Sequence, residues 1–191
     1  MRVVAGSKKG HPLQAVPGKG TRPTVDKVKE SIFNIIGPYF DGGYVLDLYA
    51  GTGGLGIEAL SRGAQHCIFV DANRKAVSIV NENLTATGFH SQAEVYRNDA
   101  NRALSALAKR EIQFRIVFLD PPYAQQKIES QIAILHDHNL LSKDAVIVAE
   151  HDAKDILSDR IGSLSKARES TYGQTTITVY QREEQKGGEG V

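Results

Sequence analysis

The sequence predicts an α/β domain whose mostly parallel β-sheet carries helices on both faces. From residue 44 to residue 150, short apolar runs alternate with segments of helical periodicity. The apolar runs are nearly continuous, which is typical of strands that are buried on both faces. Because parallel strands end at one edge of a sheet, we expect a binding site at that edge. Polar residues stand at the strand ends, and they are Asp47, Asp71, Asn98, Asp99, Asp120 and Glu150.

The first 43 residues precede this alternation and predict a small appendage. Two short strands, at 2–5 and 13–16, flank a turn that is rich in lysine and glycine. Apolar residues then recur at helical spacing over 25–36, with Thr24 as the N-cap. We expect this amphipathic helix to pack on the main body.

The later elements alternate until the last two strands. Strands are predicted at 44–49, 66–70, 93–97, 114–119 and 145–149. Helices are predicted at 55–62, 74–87, 103–110, 127–136 and 154–159. The chain then forms a hairpin from 166–171 and 176–181, so the last strand runs antiparallel to its neighbour. The predicted organisation is a basic arm at 1–24, a main domain at 25–184 and a disordered tail at 185–191.

Composition and charge fit a globular protein with a basic end. The net charge is +1, yet residues 1–30 hold seven basic and two acidic side chains, a local charge of +5. Such an arm suits a polyanion partner, although a solvated lysine-rich terminus explains the charge equally well. Cys67 is the single cysteine and lies in an apolar run, so we expect a buried thiol and no intramolecular disulfide. The sequence shows no leader-like or bilayer-length apolar segment, which predicts a cytoplasmic location.

The stretch V-L-D-L-Y-A-G-T-G-G-L-G at 45–56 joins a strand to a helix through glycines. Gly51, Gly53 and Gly56 stand in G-x-G-x-x-G register, which predicts a turn and a helix N-terminus that cradle a nucleotide-bearing cofactor. The alternative is a glycine-rich turn that binds nothing. Asp71 ends the next strand, where a carboxylate accepts hydrogen bonds from a ribose, although capping of the following helix explains it as well. At this point both NAD and S-adenosylmethionine (SAM) fit.

Two features favour SAM. Asp47 precedes the glycine loop, where a carboxylate can face the cationic amino end of SAM and would repel a pyrophosphate. Asp120-Pro121-Pro122-Tyr123 follows the fourth strand, and its prolines stiffen the turn. The Asp120 side chain and the Pro121 carbonyl can then both accept hydrogen bonds from a conjugated –NH2 group. Tyr123 can stack on a flipped base, although a proline-stopped loop with an exposed tyrosine is the alternative.

With these motifs in place, the chain resembles the RsmD family of 16S ribosomal RNA guanine-N2 methyltransferases. The resemblance covers nearly the whole chain. It rests on M-R-V-V-A-G-S-K-K-G, T-R-P-T-V-D-K-V-K-E-S-I-F-N-I-I, D-L-Y-A-G-T-G-G-L-G-I-E-A-L-S-R-G-A, F-L-D-P-P-Y and Y-G-Q-T. Tyr49, Thr52 and Asp71 stand where many relatives carry Phe, Ser and Glu, and these changes preserve the chemistry.

The resemblance implies a Rossmann-like SAM-dependent methyltransferase fold with a seven-stranded, mostly parallel sheet, an antiparallel last strand and a small N-terminal hairpin and helix. It implies methyl transfer from SAM to the N2 amine of guanine 966 in 16S rRNA of the small ribosomal subunit. The expected catalytic residues are Asp120, Pro121, Pro122 and Tyr123. The expected cofactor-binding residues are Asp47, Tyr49, Ala50, Gly51, Thr52, Gly53, Gly56, Asp71, Ala72, Asn98, Asp99 and Ala100. The expected RNA contacts are Lys8, Lys9, Lys19, Arg22 and Thr24, in a monomer without metal or membrane contact.

Three other functions explain part of the sequence. An NAD-binding oxidoreductase accounts for the glycines and Asp71 but leaves the tetrapeptide at 120–123 without a role. An adenine-N6 methyltransferase shares the tetrapeptide, but an enzyme acting on DNA normally needs a target-recognition insertion, for which this chain has no room. An inactive RNA-binding module accounts for the basic arm but not for the glycine loop.

Overall fold

The computed structural model describes residues 1–17, 26–122 and 127–183. One sheet of eight strands, in the order β3-β2-β1-β4-β5-β8-β7-β6, forms its centre. The strands are β1 (Tyr44–Asp47), β2 (His66–Asp71), β3 (Ala93–Arg97), β4 (Phe114–Leu119), β5 (Leu141–Asp152), β6 (Arg160–Ile161), β7 (Leu164–Tyr172) and β8 (Thr175–Arg182). Strands β1 to β5 pair in parallel, and β8 lies antiparallel between β5 and β7. This confirms the predicted fold, and the two-residue β6 adds an eighth strand at the edge.

Helices cover both faces of the sheet. They are α1 (Asp26–Ile36), α2 (Gly54–Ser61), α3 (Arg74–Thr87), α4 (Ala100–Leu107) and α5 (Ile128–Asp137). The first three contribute to one buried cluster, in which Phe33, Ile57 and Leu84 pack against the sheet. The last two contribute to the other cluster through residues such as Leu104 and Ile132. The sheet is therefore buried on both sides, as its continuous apolar strands predict.

The helix predicted at 154–159 is wrong. After β5 the chain turns, and Leu157 enters the core with 4% of its surface exposed. Side chains from elsewhere bind the backbone here: Lys166 Nζ donates to the Leu157 carbonyl at 2.9 Å, and Tyr180 Oη donates to the Ser158 carbonyl at 2.6 Å. Because these partners satisfy the backbone groups, the segment does not need a helical turn.

Among the element boundaries that differ from the predictions, those of α4 and β5 have a clear physical cause. Helix α4 begins at Ala100 and not at residue 103, because Asp99 caps it by accepting from the backbone N–H groups of Asn101 and Arg102 at 3.0 and 3.2 Å. Strand β5 is longer than predicted at both ends, because Leu141 pairs with Phe114 of β4 and the final residues, up to Asp152, pair with β8.

The N-terminal segment at 1–17 lies against the body, and in place of the two predicted strands it has one antiparallel bridge, between Arg2 and Pro12. A short ladder of backbone hydrogen bonds joins residues 1–3 to residues 10–13. Beyond it, Val4 and Ala5 donate their N–H groups to the carboxylate of Glu58 on α2 and not to a second strand. The predicted N-cap Thr24 and the tail at 185–191 lie outside the described residues.

In the described part of the chain, no helix has the length and apolar character that a membrane span requires.

Candidate active site

The glycine loop between β1 and α2 approaches the carboxyl edge of the sheet in a conformation that suits glycine. Gly51 and Gly53 have φ values of 56° and 79°, in the left-handed region. A Cβ at Gly51 would meet nothing within 4 Å, so the loop leaves open space on that side. At Gly56 a Cβ would lie 2.3 Å from Phe69 Cε1 and 2.7 Å from Cys67 Sγ on β2. The first glycine therefore leaves room beside the backbone, and the last one lets α2 pack closely on the sheet.

Asp47 ends β1 beneath this loop and is buried, with 3% of its surface exposed. Its Oδ2 accepts the backbone N–H of Gly56 at 3.1 Å. Burial raises the pKa of Asp47 to about 7, the hydrogen bond from Gly56 opposes the rise, and the charge of Asp71 adds to it. A buried carboxyl with one backbone partner is suited to receive a cationic group.

Asp71 ends β2 and binds two backbone groups. Its Oδ2 accepts the N–H of Gly51 at 2.9 Å, and its Oδ1 accepts the N–H of Asn73 at 2.8 Å. The side chain thus links the glycine loop to the turn before α3, in which Ala72 is exposed. Asn73, and not Asp71, caps α3, by accepting from Lys75 N at 2.8 Å.

The end of β3 forms the far side of the site. Asn98 donates its backbone N–H to the Asp71 carbonyl at 3.1 Å, so the ends of β2 and β3 are tied together. The Oδ1 of Asp99 caps α4, whose first residue, Ala100, is buried. The cap uses one of the two carboxylate oxygens of Asp99.

Asp120 and Pro121 follow β4, which neighbours β1 on the side away from β2. In the sheet register Leu119 lies opposite Ala149, so the next residues, Asp120 and Glu150, end neighbouring strands. The pKa of Asp120 is well above its usual range, chiefly because burial withdraws the carboxyl from water, with Glu150 and Asp47 adding negative charge. Pro121 is buried and Pro122 is exposed, while Tyr123 lies outside the described residues. The three carboxyl groups of Asp47, Asp120 and Glu150 therefore lie near one another at the carboxyl edge of the sheet.

A buried amide links the glycine loop to the helices on the opposite face, and we did not predict it. Gln131 on α5 donates through Nε2 to Tyr49 Oη at 2.6 Å and to Asn101 Oδ1 at 3.1 Å. Its side chain is buried with the core of that face. Sequence gives only a weak signal for it, a single glutamine among the apolar residues of a helix.

A buried ionic cluster fixes the N-terminal segment to the helix after the glycine loop, and we did not predict it either. Glu58 on α2 pairs with Lys29 Nζ at 3.3 Å and with Arg62 Nε at 2.8 Å, and all three side chains are almost fully buried. Burial lowers the pKa of Lys29, and Glu58 opposes that shift. Lys29 also donates to the Arg2 carbonyl at 2.6 Å. The sequence signal is a lone acid within the apolar helix G-L-G-I-E-A-L.

The predicted RNA contacts are divided between described and undescribed residues. Lys8 and Lys9 are exposed on the turn of the N-terminal segment. Lys19, Arg22 and Thr24 lie outside the described residues. Among the residues that the structure describes, no group of three or more His, Cys, Asp or Glu side chains could hold a metal ion.

The strand order, with five parallel strands and an antiparallel β8, is that of the Rossmann-like fold of methyltransferases. Residues 1–181 match the family described as "Conserved hypothetical protein 95". The chain is 56% identical over 182 residues to "Putative rRNA methyltransferase YlbH" of Bacillus subtilis, covering 95% of this chain and 99% of that protein. It is 34% identical to "Ribosomal RNA small subunit methyltransferase D" of Escherichia coli, covering 97% and 91%. The chain therefore belongs to the RsmD family.

The solved structures agree with this assignment. The structure titled "Putative methyltransferase yhhF from Escherichia coli" superposes with a TM-score of 0.79 at 34% identity. The match covers 97% of this chain and 99% of that one. The shared fold extends over the N-terminal segment as well as the sheet.

Proposed function

We propose that this protein transfers a methyl group from SAM to the exocyclic N2 amine of a guanine in 16S rRNA of the small ribosomal subunit, at guanine 966. The names of its relatives support a ribosomal RNA substrate and, for the Escherichia coli protein, the small subunit. The choice of N2 and of the nucleotide follows the resemblance of the sequence motifs.

One observation carries the proposal: the acids Asp47, which is buried, and Asp120, which is half-buried, stand at the ends of the neighbouring strands β1 and β4, with the glycine loop beside them. Two such carboxyl groups with raised pKa values are poorly solvated, and they repel each other when both are ionised. A cationic ligand relieves both costs, whereas a pyrophosphate would add to them. The residues present therefore fit SAM, which carries a sulfonium and an ammonium group, better than a dinucleotide.

On the donor side, the loop and the strand ends would hold SAM. Asp47 faces the cationic amino end, and the open side of Gly51 leaves room for the ligand beside the backbone. Asp71 accepts hydrogen bonds from the ribose, with its present N–H partners fixing its orientation. Asn98 and Asp99 border the adenine, and the Asp99 oxygen that does not cap α4 can accept the adenine amine.

On the acceptor side, Asp120 and the Pro121 carbonyl would hold the guanine amine. Accepting hydrogen bonds from its two N–H groups turns the nitrogen lone pair away from the base plane and toward the donor. Tyr123, outside the described residues, is proposed to stack on the base. When bound, SAM supplies a methyl group whose bond to sulfur breaks as the new bond to nitrogen forms, with the electron pair leaving on sulfur.

The product amine must then lose one proton. Asp120 is the nearest proposed acceptor, and its raised pKa makes it a stronger base than an exposed aspartate once the cation has restored its ionised form. Most of the rate enhancement comes from positioning and electrostatics, because the donor is already a strong electrophile. The N-terminal residues at 1–24, with Lys8, Lys9, Lys19, Arg22 and Thr24, would contact the RNA beside this site.

The test is a transfer assay with tritiated SAM. The purified protein is offered small subunits, naked 16S rRNA, large subunits and duplex DNA in parallel. We expect label in 16S rRNA when small subunits are the substrate. Label in DNA or in adenosine would identify an adenine methyltransferase, and no label on any nucleic acid, with SAM bound in calorimetry, would refute the proposal.

A further inference from the structure

Four exposed basic residues converge at the rim of the candidate site on the cofactor side. They come from the start of α3, the end of β3 and the start of α4, and they are Arg74, Lys75, Arg97 and Arg102. Among the residues that the structure describes, none of the four forms an ion pair. Neither the proposed donor site nor the proposed acceptor site uses them.

Backbone geometry brings these residues together. Arg97 lies opposite Asp71 in the register of β2 and β3, and its Nε lies 3.5 Å from the carbonyl oxygen of Ala72. Arg74 and Lys75 form the first turn of α3, directly after that carbonyl. The three cations therefore surround one exposed turn at the carboxyl edge of the sheet.

The N-terminal segment reaches the same corner. Val16 packs with Ala76 and Ile79 of α3, one turn from the cations. Gln14 exchanges two hydrogen bonds with Asn83 further along the helix, at 2.8 and 3.1 Å. The basic N-terminal segment thus runs beside α3 and leads to the rim where the four cations lie.

Neither local stability nor the donor explains these charges. Arg74 and Lys75 lie at the N-terminus of α3, and Arg102 lies in the first turn of α4, where cations oppose the helix dipole. The nearby carboxylates, Asp71 and Asp99, already accept backbone N–H groups. A donor with a net positive charge gains nothing from cations on its rim. The position suits a polyanion that must approach an acidic cleft.

We infer that Arg74, Lys75, Arg97 and Arg102 bind backbone phosphates of the RNA that flanks the target nucleotide, and so form a second RNA-contact surface apart from the N-terminal arm. This inference rests on the proposed function. The four cations offset the repulsion between RNA and the buried acids of the site, and they hold the strand on the side of the cleft opposite the acceptor turn.

The experiment compares two matched double variants. Arg74→Gln/Arg97→Gln removes two rim cations, and Lys109→Gln/Lys143→Gln removes two exposed cations near the opposite edge, where β4 and β5 begin. For each we measure kcat and KM with small subunits, SAM Kd by calorimetry, Tm, and the salt dependence of 16S rRNA binding. The rim variant should raise KM about 30-fold at 0.1 M salt and lower the log–log salt slope by about 1.4–1.8, since each phosphate contact contributes roughly 0.7–0.9.

In the rim variant kcat, SAM Kd and Tm should stay near wild type, and the control should change none of the five quantities. A rim variant that behaves like the control overturns the inference. A SAM Kd that weakens as much as the subunit KM would mean that the cations act on the donor, which also overturns it. A raised KM for subunits with unchanged binding to naked 16S rRNA would point to a protein contact and overturn it. If the wild-type protein methylates nothing, the proposed function fails, and the binding measurement still tests the surface.

Discussion

The buried carboxyl of Asp47 predicts that SAM binding strengthens as pH rises toward neutrality. Its pKa is about 7 in the ligand-free protein, mainly because burial disfavours the charged form. A bound cation favours that charged form, so binding at low pH must first remove a proton from Asp47. SAM binding should therefore weaken as pH falls, and it should strengthen as pH rises until the carboxyl of Asp47 is ionised.

The magnitude follows from the pKa. Below the pKa of Asp47, each pH unit weakens the free energy of SAM binding by about 1.4 kcal/mol, which is about tenfold in Kd. We expect Kd to weaken about tenfold between pH 6 and pH 5 and to level off above about pH 7.5. An α-amino group titrates near 7.7–8.0 in model compounds, so it stays protonated through most of this range. Calorimetry at pH 5.5, 6.5 and 7.5, in buffers of different ionisation enthalpy, would measure both Kd and the protons released.

Asp47→Asn is the matched control, because its side-chain oxygen can still accept the N–H of Gly56. The variant should bind SAM more weakly at pH 7.5, and its Kd should change less with pH. Asp120 also titrates in the site and leaves a residual slope. A wild-type Kd that is constant from pH 5.5 to 7.5, or an equal slope in the variant, would refute the reasoning.

The same substitution has a second readout in the stability of the ligand-free protein. A folded pKa of about 7 against an unfolded value near 4 destabilises the fold as pH rises through that interval. This difference of three pKa units lowers the free energy of unfolding by about 4 kcal/mol at pH 8. The Tm of Asp47→Asn at pH 8 should therefore exceed that of wild type by several degrees, and the two should converge near pH 4.

Three further substitutions test separate parts of the account. Asp120→Ala should lose most of kcat, while the SAM Kd measured by calorimetry changes much less; near wild-type turnover would remove Asp120 from the mechanism. Gly56→Ala should cost about 1–3 kcal/mol in urea unfolding, because the new Cβ would lie 2.3 Å from the ring of Phe69; an unchanged midpoint would contradict this packing. Glu58→Gln should cost about 3–5 kcal/mol by leaving two buried cations without their carboxylate. For that variant the control is the exposed Glu82→Gln, and equal effects would argue against the cluster.

Much of the fold could be predicted because local patterns and tertiary structure agree. Apart from Arg115, strand β4 is apolar, and it is buried on both faces as expected. The three glycines of the loop mark positions where backbone conformation or close packing requires them, which a single sequence can show. Gly56 illustrates this, because the atoms that exclude a Cβ come from the next strand.

The failures come from long-range contacts that leave no local trace. The segment at 154–159 has helical residues, yet the side chains of Lys166 and Tyr180 bind its carbonyls. The first predicted strand, at 2–5, does not form because Glu58, more than fifty residues away, accepts the N–H groups of Val4 and Ala5. In each case the partner lies far along the chain, so the spacing of nearby residues carries no signal.

For the candidate site, too, the sequence predicts some features and not others. The acids at strand ends could be found from sequence, because the parallel sheet brings every strand end to one edge. Their electrostatic coupling could not, since it depends on how deeply Asp47 and Asp120 are buried and on Glu150 ending the neighbouring strand. The hydrogen bond from Gln131 to Tyr49 could not be predicted either, because it depends on how α5 packs against the loop.

Mass spectrometry of 16S rRNA tests the central claim most directly. Small subunits that lack the modification are incubated with the protein and with SAM bearing a trideuterated methyl group, and the rRNA is digested and mapped. We predict one labelled guanosine, with the label on N2, in the fragment that contains position 966, and far less label with Asp120→Ala. Label on another atom or base, or equal labelling by the variant, would contradict it.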